Sequence, residues 1–188
     1  MSRPNWQAVV AGVGGQGVLF VSRALATALE PKAGGILISE VHGMAQRGGA
    51  VVSHLKAGDF SGPLVSQASA GLVLALDPGE AVRNLGYLAP GGWLVVNAPD
   101  LGFLSAKGKK ALASFEARVL CAPASVLARS AGAPKGANVV LLGAAAAAGA
   151  LPVSSAEVER AITQGQPSAR AQANRQLLAL GSGAVSQA

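Results

Sequence analysis

Cysteine is almost absent from this chain of 188 residues, which contains only Cys121. A disulfide needs two cysteines, and an iron–sulfur cluster held by one chain needs about four thiolates. The chain can therefore build neither by itself. The two histidines, His42 and His54, have no neighbour at metal-ligand spacing. Cys121 follows an apolar run and is interpreted as a small buried hydrophobic residue.

Charged residues are scarce as well, at 13% against 51% hydrophobic residues. A soluble domain usually carries about 25% charged residues. Either another protein covers part of the surface, or the sequence has a general bias towards alanine and glycine. The net charge is +6, but the basic residues are scattered and cluster only at Lys107, Lys109 and Lys110. No aromatic residues lie between these lysines, which argues against a nucleic-acid surface.

Long apolar runs are also missing. The longest, over residues 139–153, is shorter than a bilayer span and contains Pro152. The first seven residues are polar, unlike a secretory signal peptide. We therefore expect a cytoplasmic protein that binds neither membrane nor nucleic acid.

Short apolar runs alternate with helical patterns along the chain. A strand over 6–11 precedes a helix that stops before Pro31, where the proline disfavours helical geometry. The strand predicted over 50–58 alternates in polarity, which indicates one wetter face and favours an edge position. Further strands are predicted over 35–40, 71–76, 93–97 and 116–122.

The remaining patterns are helical. One helix begins at Pro78 and runs to about residue 88, and three helices end the chain. The first covers about 138–149, the second begins at a Ser154–Glu157 capping box, and the third stops at Gly181. This order predicts a three-layer α/β/α fold with a mostly parallel, mixed sheet and a Rossmann-like first βα unit, in a single domain over 1–188.

The first predicted strand runs into the glycine-rich stretch "VVAGVGGQGV". Three of its glycines fit G-x-G-x-x-G, and Glu40 closes the second strand, where an acid that binds ribose would sit. No helix pattern follows Glu40, however, and the chain has no room for a substrate domain. Two interpretations stay open here: a ligand-binding turn, or glycines that only let the helix pack closely. The candidate residues of this turn are Gly12, Gly14, Gly15, Gln16 and Gly17.

The segment "SEVHGMAQRGGAV" over 39–51 joins two predicted strands and is rich in polar groups and glycine. Arg47 can present a forked set of donors to a carboxylate or a phosphate. Both this loop and the glycine turn follow strands at their carboxyl ends, so we expect them on one edge of the sheet. The candidate ligand- or partner-binding residues of the loop are Glu40, His42, Gln46, Arg47, Gly48 and Gly49.

"GVGGQGVL" followed by "SEVHGMAQRGGAVVSHL" resembles the gamma-type subunit or domain of 2-oxoacid:ferredoxin oxidoreductases, and the indolepyruvate enzymes in particular. "LALDPGEAVRNLGYLAPGGWLVVN", "KGANVVLLGAAAAAG" and "NRQLLALG" extend the resemblance over nearly the whole chain. Gly71 and Asp77 depart from the family pattern, which usually has an aspartate and often a glutamate at these places.

The resemblance implies an accessory subunit of a complex that oxidatively decarboxylates a 2-oxoacid to an acyl-CoA. It also implies that thiamine diphosphate, magnesium and 4Fe–4S clusters lie in a larger partner subunit, that coenzyme A is the co-substrate, and that ferredoxin takes the electrons. This chain would bind none of these cofactors alone, because it has one cysteine and no G-D-G motif followed by paired asparagines. The face formed by the turn and the loop would then touch the thiamine-bearing subunit or line the coenzyme A path. The competing classes are a stand-alone NAD- or flavin-binding module and a pure scaffold.

Overall fold

The protein is described from a computed structural model that covers residues 5–43 and 48–185. Within these residues the chain forms six strands and seven α-helices. The strands are β1 (Trp6–Val13), β2 (Ile36–His42), β3 (Ala50–Ala57), β4 (Ala70–Ala75), β5 (Leu88–Asn97) and β6 (Arg118–Ala122). The helices are α1 (Val18–Leu29), α2 (Pro78–Asn84), α3 (Ala106–Ser114), α4 (Ala124–Ser130), α5 (Ala137–Ala147), α6 (Ser155–Thr163) and α7 (Ser168–Val185).

The strands form one sheet in the order β2-β3-β1-β4-β5-β6. The pairs β1–β4, β4–β5 and β5–β6 are parallel, whereas β3 runs antiparallel to both of its neighbours. The mixed, mostly parallel sheet is therefore confirmed. The β2–β3 hairpin takes the place where the second βα unit of a dinucleotide-binding fold would be.

Apolar side chains on the two faces of the sheet form two separate cores. Val10 faces a core shared with α1, α4, α5, α6 and α7, whereas its neighbour Val9 faces a core shared with α2 and α3. Successive strand residues point to opposite faces, so one strand contributes to both cores. Strand β4 is buried on both faces, as its continuous apolar sequence predicts. The three-layer α/β/α fold is confirmed.

Strand β3 does not lie at an edge, so that expectation was wrong. It is the second strand of the sheet, and β2 and β6 are the two edge strands of the order that the described residues form. The predicted wetter face was also wrong, because Ser53, His54 and Lys56 are all buried. His54 accepts a hydrogen bond from the Val65 N–H at 3.3 Å, and the Lys56 ammonium lies 5.0 Å from the centre of the Phe60 ring. Local contacts thus accommodate His54 and Lys56 away from water, whereas the buried Ser53 hydroxyl has no hydrogen-bond partner among the described residues.

The helical part of the chain contains two helices that the sequence patterns did not indicate. Helix α3 has a single buried residue, Leu112, and α4 has only seven residues, so neither shows a clear apolar stripe. Four helices therefore follow β6 among the described residues, not three. The predicted capping box at the start of α6 is confirmed: the Ser154 N–H donates to Glu157 Oε2 at 2.8 Å, and the Glu157 N–H donates to Ser154 Oγ at 3.3 Å.

Helix α7 continues through Gly181 to Val185, so the predicted stop at Gly181 was wrong. Gly181 serves a different purpose: a methyl group there would overlap the carbonyl oxygen of Val140 in α5. Likewise, a methyl group at Gly143 of α5 would overlap the carbonyl oxygen of Leu178 in α7. The alanine-rich α5 is therefore a buried helix that approaches its neighbour closely, as its composition indicates.

Candidate functional site

The glycine turn and the β2–β3 loop meet at one edge of the sheet. Val13 at the end of β1 is paired with Ala50 at the start of β3, and His42 at the end of β2 is paired with Val51. The Gly14 N–H donates to the Gly49 carbonyl at 2.9 Å, which joins the two segments directly. The predicted juxtaposition of these segments is therefore observed in the fold.

Gln16 holds the glycine turn together through two hydrogen bonds to Val13. Its Oε1 accepts a hydrogen bond from the Val13 N–H at 2.7 Å, and its own N–H donates to the Val13 carbonyl at 3.0 Å. A methyl group at Gly12 would lie 2.8 Å from Gln16 Oε1 and 2.9 Å from Val18 Cγ2. Gly12 therefore makes room for the glutamine side chain and the first residue of α1, and Gln16 fixes the shape of the turn.

The beginning of α1 has no side-chain cap. The N-cap residue is Gly17, in the left-handed region at φ 87°, and α1 has no acidic residue in its first turn. The Val21 N–H is bonded to the Gly17 carbonyl at 3.2 Å, whereas the N–H groups of Val18, Leu19 and Phe20 have no acceptor among the described residues. Free N–H groups and the positive end of the helix dipole both favour a negatively charged group here.

A cavity of about 390 Å³ opens in front of these N–H groups. The backbone of the turn forms one wall of it, and the ends of the β2–β3 hairpin form another. The absence of side chains at three of the glycines lets a ligand approach the backbone closely. Its lining residues are Val13, Gly14, Gly15, Gly17, Val18, Leu19, His42 and Val51.

The other predicted site residues have different positions. Glu40 is exposed near the end of β2, and its Oε1 lies 4.0 Å from Nη2 of Arg23 in α1. His42 is exposed and lines the cavity. Gly48 adopts a left-handed φ of 69°, which glycine accommodates without strain. Gln46 and Arg47 lie outside the described residues.

Asn138 packs against Gly17 of the glycine turn, and the sequence did not identify it as a candidate. It lies in the first turn of α5, is only 9% exposed, and its Nδ2 is so close to Gly17 that a methyl group there would overlap it. Its Oδ1 accepts a hydrogen bond from the Val139 N–H at 3.0 Å. The stretch "KGANVV" contributed to the family resemblance, but no local pattern indicates that α5 packs against the start of α1.

The two departures from the family pattern have local structural explanations. Asp77 caps α2: its Oδ1 accepts hydrogen bonds from the N–H groups of Gly79 at 2.8 Å and Glu80 at 3.2 Å. A side chain at Gly71 would approach the Trp6 indole nitrogen to 3.1 Å. Neither residue lines the cavity.

The described residues form no metal site, and a single cysteine cannot hold an iron–sulfur cluster. Within residues 5–43 and 48–185, no group of three or more His, Cys, Asp and Glu side chains could hold a metal ion. Cys121 is half-buried, and burial together with the nearby Asp100 carboxylate raises the pKa of its thiol. In the same residues, no helix has the length and apolar character needed to cross a membrane.

Comparison with known proteins identifies the family to which this chain belongs. Residues 7–184 match the family model described as pyruvate ferredoxin/flavodoxin oxidoreductase. The chain is 33% identical over 184 residues to the indolepyruvate oxidoreductase subunit IorB of Archaeoglobus fulgidus, covering 92% of each chain.

Two solved structures share the fold. The gamma subunit of the keto/oxoacid ferredoxin oxidoreductase from Geobacter sulfurreducens PCA superimposes with a TM-score of 0.73 at 24% identity, covering 97% of this chain and 99% of that one. The 2-oxoglutarate:ferredoxin oxidoreductase from Magnetococcus marinus, solved with 2-oxoglutarate, coenzyme A and succinyl-CoA bound, gives 0.77 at 16% identity, covering 98% of this chain and 31% of that one. The resemblance noted in the sequence is thus confirmed: this chain belongs to the pyruvate ferredoxin/flavodoxin oxidoreductase family.

Proposed function

We propose that this chain is an accessory subunit of a 2-oxoacid:ferredoxin oxidoreductase that acts on an aryl pyruvate such as indolepyruvate. In that reaction a 2-oxoacid and coenzyme A give an acyl-CoA, carbon dioxide and a proton, and two electrons pass to two ferredoxins. The observation that carries the proposal is the family match over residues 7–184, together with 33% identity to a subunit named for indolepyruvate.

The cofactors are assigned to a larger partner subunit. A 4Fe–4S cluster needs about four thiolates, and this chain has one cysteine, whose pKa is raised rather than lowered. The described residues also lack a cluster of acids for a magnesium ion. When bound in the partner, thiamine diphosphate supplies the decarboxylation chemistry and the clusters supply the electron path. The role left to this chain is to bind the partner subunit or coenzyme A and to position the reacting groups.

The face proposed to contact the partner is the carboxyl edge of β1 and β2. It combines N–H groups at the start of α1 that have no acceptor among the described residues, the exposed His42 and the glycine-rich backbone around a cavity. The N–H groups of Val18, Leu19 and Phe20 carry partial positive charge, so they attract a negatively charged group of a partner or of coenzyme A. The predicted residues of the turn and the hairpin loop are therefore kept as the proposed ligand- or partner-binding set.

No observation favours the stand-alone dinucleotide-binding module. The edge strand β2 is followed by an antiparallel hairpin partner and not by a helix, so the second phosphate-facing half of such a fold is missing. The Glu40 carboxylate lies beside Arg23, where a ribose hydroxyl would have to compete with a guanidinium.

Co-expression with the larger thiamine- and iron–sulfur-bearing subunit tests the assignment. We expect the two chains to purify together, and we expect ferredoxin reduction to require indolepyruvate, coenzyme A and both chains. A larger subunit that reaches full turnover without this chain, or two chains that never associate, would show that the assignment is wrong.

A charge placed on the proposed face tests its position. His42→Glu adds a carboxylate beside the cavity, and we expect it to weaken assembly or raise the KM for coenzyme A by about tenfold, since like charges now repel an anionic group. Ser61→Glu is the matched control, because Ser61 is exposed in the segment that joins β3 to β4 at the opposite edge. Equal behaviour of the two variants would remove this face from the proposal and leave the subunit assignment standing.

A further inference from the structure

Both tryptophans of the chain lie at the edge of the sheet opposite the glycine turn. Trp6 is the first residue of β1, and Trp93 in β5 is paired with Arg118, the first residue of β6. A methyl group at Gly71 in β4 would lie 3.1 Å from Nε1 of Trp6, so this glycine gives the indole ring room close to β4. Four neighbouring strands thus bring two indole rings and a guanidinium to one place.

These side chains line a cavity of about 310 Å³, the tryptophan cavity. Its volume is at the lower end of the range of about 300–1,000 Å³ that is usual for small-molecule pockets. Residues 89–92 form one wall, and residues 149–152, which follow α5, form another. A methyl group at Gly91 or Gly149 would meet no atom within 4 Å, so both walls face open space that a small ligand can enter.

Arg118 is the one charged residue among the described residues that line this cavity, and its position is fixed by two contacts. The guanidinium carbon lies 4.8 Å from the centre of the Trp93 ring, and Nε and Nη2 donate to the Gly91 carbonyl at 3.1 Å and 3.0 Å. These bonds use two of the five N–H groups and leave the edge formed by Nη1 and Nη2 without an acceptor among the described residues. The ion pairs that the described residues form do not include Arg118.

Trp93 also carries a polar group without a partner. Its indole N–H is buried and has no acceptor in the described part of the chain, although buried indole N–H groups usually find one. The other lining residues are apolar or glycine, and none of them is acidic. One cationic edge therefore remains unpaired in an otherwise apolar and aromatic cavity.

From this arrangement we infer that the tryptophan cavity binds a small aromatic carboxylate. The two oxygens of a carboxylate match the free Nη1–Nη2 edge of Arg118, which is already held in place by Trp93 and Gly91. An aromatic ring packs favourably against indole rings in an offset or edge-to-face arrangement. A single positive charge balances a single negative charge, so a monoanion fits this cavity better than a diphosphate does.

The inference goes beyond the proposed function and does not rest on it, since it concerns a cavity at the other end of β1 from the glycine turn. The first test is a titration of the full chain alone with benzoate at constant ionic strength, followed by tryptophan fluorescence. We expect a saturable change in emission with a Kd of about 1 mM, which is within reach of a ligand of this size.

Two analogues of benzoate separate the contributions of charge and ring. Benzamide has nearly the same shape but no charge, and it should bind at least about tenfold more weakly because hydrogen bonds between charged groups are lost. Cyclohexanecarboxylate keeps the charge without the aromatic face, and it should bind about threefold more weakly. These comparisons need no variant, so they stand even where a substitution prevents folding.

Variants then assign the binding to the cavity. Arg118→Gln should weaken benzoate binding by at least about tenfold and remove the preference for benzoate over benzamide. Arg170→Gln is the matched control, because Arg170 is exposed in α7 and does not line the cavity, and this variant should keep its affinity. Trp6→Phe and Trp93→Phe each leave one tryptophan, and we expect benzoate to change the emission of the remaining ring in both.

The inference would be overturned by emission that benzoate does not change, by equal affinity for benzoate and either analogue, or by unchanged affinity in Arg118→Gln. An acetylated tripeptide that ends in phenylalanine presents the same ring and carboxylate at a chain terminus. Binding of this peptide about tenfold more tightly than benzoate would assign the cavity to the end of another polypeptide and overturn the small ligand. All of these measurements use this chain alone, so failure here would leave co-purification with the larger subunit unaffected and is distinguishable from failure of the proposed function.

Discussion

A methyl group at Gly17 should destabilise the protein more than the same change at Gly15. Both residues adopt left-handed φ angles, 87° and 92°, so alanine is strained by about 1–2 kcal/mol at either position. The space around them differs: a methyl group at Gly15 would meet no atom within 4 Å, whereas one at Gly17 would overlap Nδ2 of Asn138 and lie 3.1 Å from its Cγ. Displacing this buried side chain costs about a further 1–3 kcal/mol.

The assay is thermal unfolding of the full chain followed by circular dichroism. For a domain of this size, 1 kcal/mol corresponds to about 3 °C, so we expect Gly15→Ala to lower the Tm by about 5 °C and Gly17→Ala by about 10 °C. In an Asn138→Ala background the difference between the two variants should vanish, because the overlapping group is gone. A difference that persists in that background, or equal Tm losses in the native background, would refute the close contact between Gly17 and Asn138.

Two further predictions concern other parts of the fold. Gly181→Ala should destabilise the protein by about 3 kcal/mol in urea unfolding, because its methyl group would overlap the Val140 carbonyl. Gly183 lies in open space on the same helix, so Gly183→Ala should be neutral or stabilising by up to about 1 kcal/mol. Equal effects of the two substitutions would contradict the close crossing of α5 and α7. Burial, and secondarily the charge of Lys56, lowers the pKa of His54 below its usual value of about 6.5. The unfolded chain then binds the proton more readily, so the free energy of unfolding should fall as the pH drops below about 6.5, and His54→Gln should flatten that slope; an unchanged slope would show that another group titrates.

The fold was largely predictable because its elements follow strong local patterns. Strand β4 is continuously apolar, and the Ser154–Glu157 capping box marks the start of α6. Gly181 misled the prediction because a glycine at a helix stop and a glycine at a helix crossing look alike in sequence. Only the position of Val140, which belongs to another helix, distinguishes the two cases.

The site was predictable in part for the same reason. Gly12, Gly14 and Gly17 form a local motif, and their place at the carboxyl end of β1 follows from the order of strand and helix. The contribution of Asn138 could not be predicted, because it depends on how α5 packs against the start of α1. The same holds for β3, because the contacts of His54 with Val65 and of Lys56 with Phe60 depend on how the following segment folds back.

The β2–β3 hairpin loop is fastened at both of its ends by backbone hydrogen bonds, from Gly43 N–H to the Ala50 carbonyl at 2.8 Å and from Gly14 N–H to the Gly49 carbonyl at 2.9 Å. Backbone bonds do not depend on side-chain identity, so a loop substitution that keeps glycine at Gly48 should leave both bonds, and with them the pairing of β2 with β3, in place. The sheet is thereby held independently of the side chains that the loop carries. A different segment exchanged there would test whether this loop takes part in recognition, and it would leave the sheet unchanged.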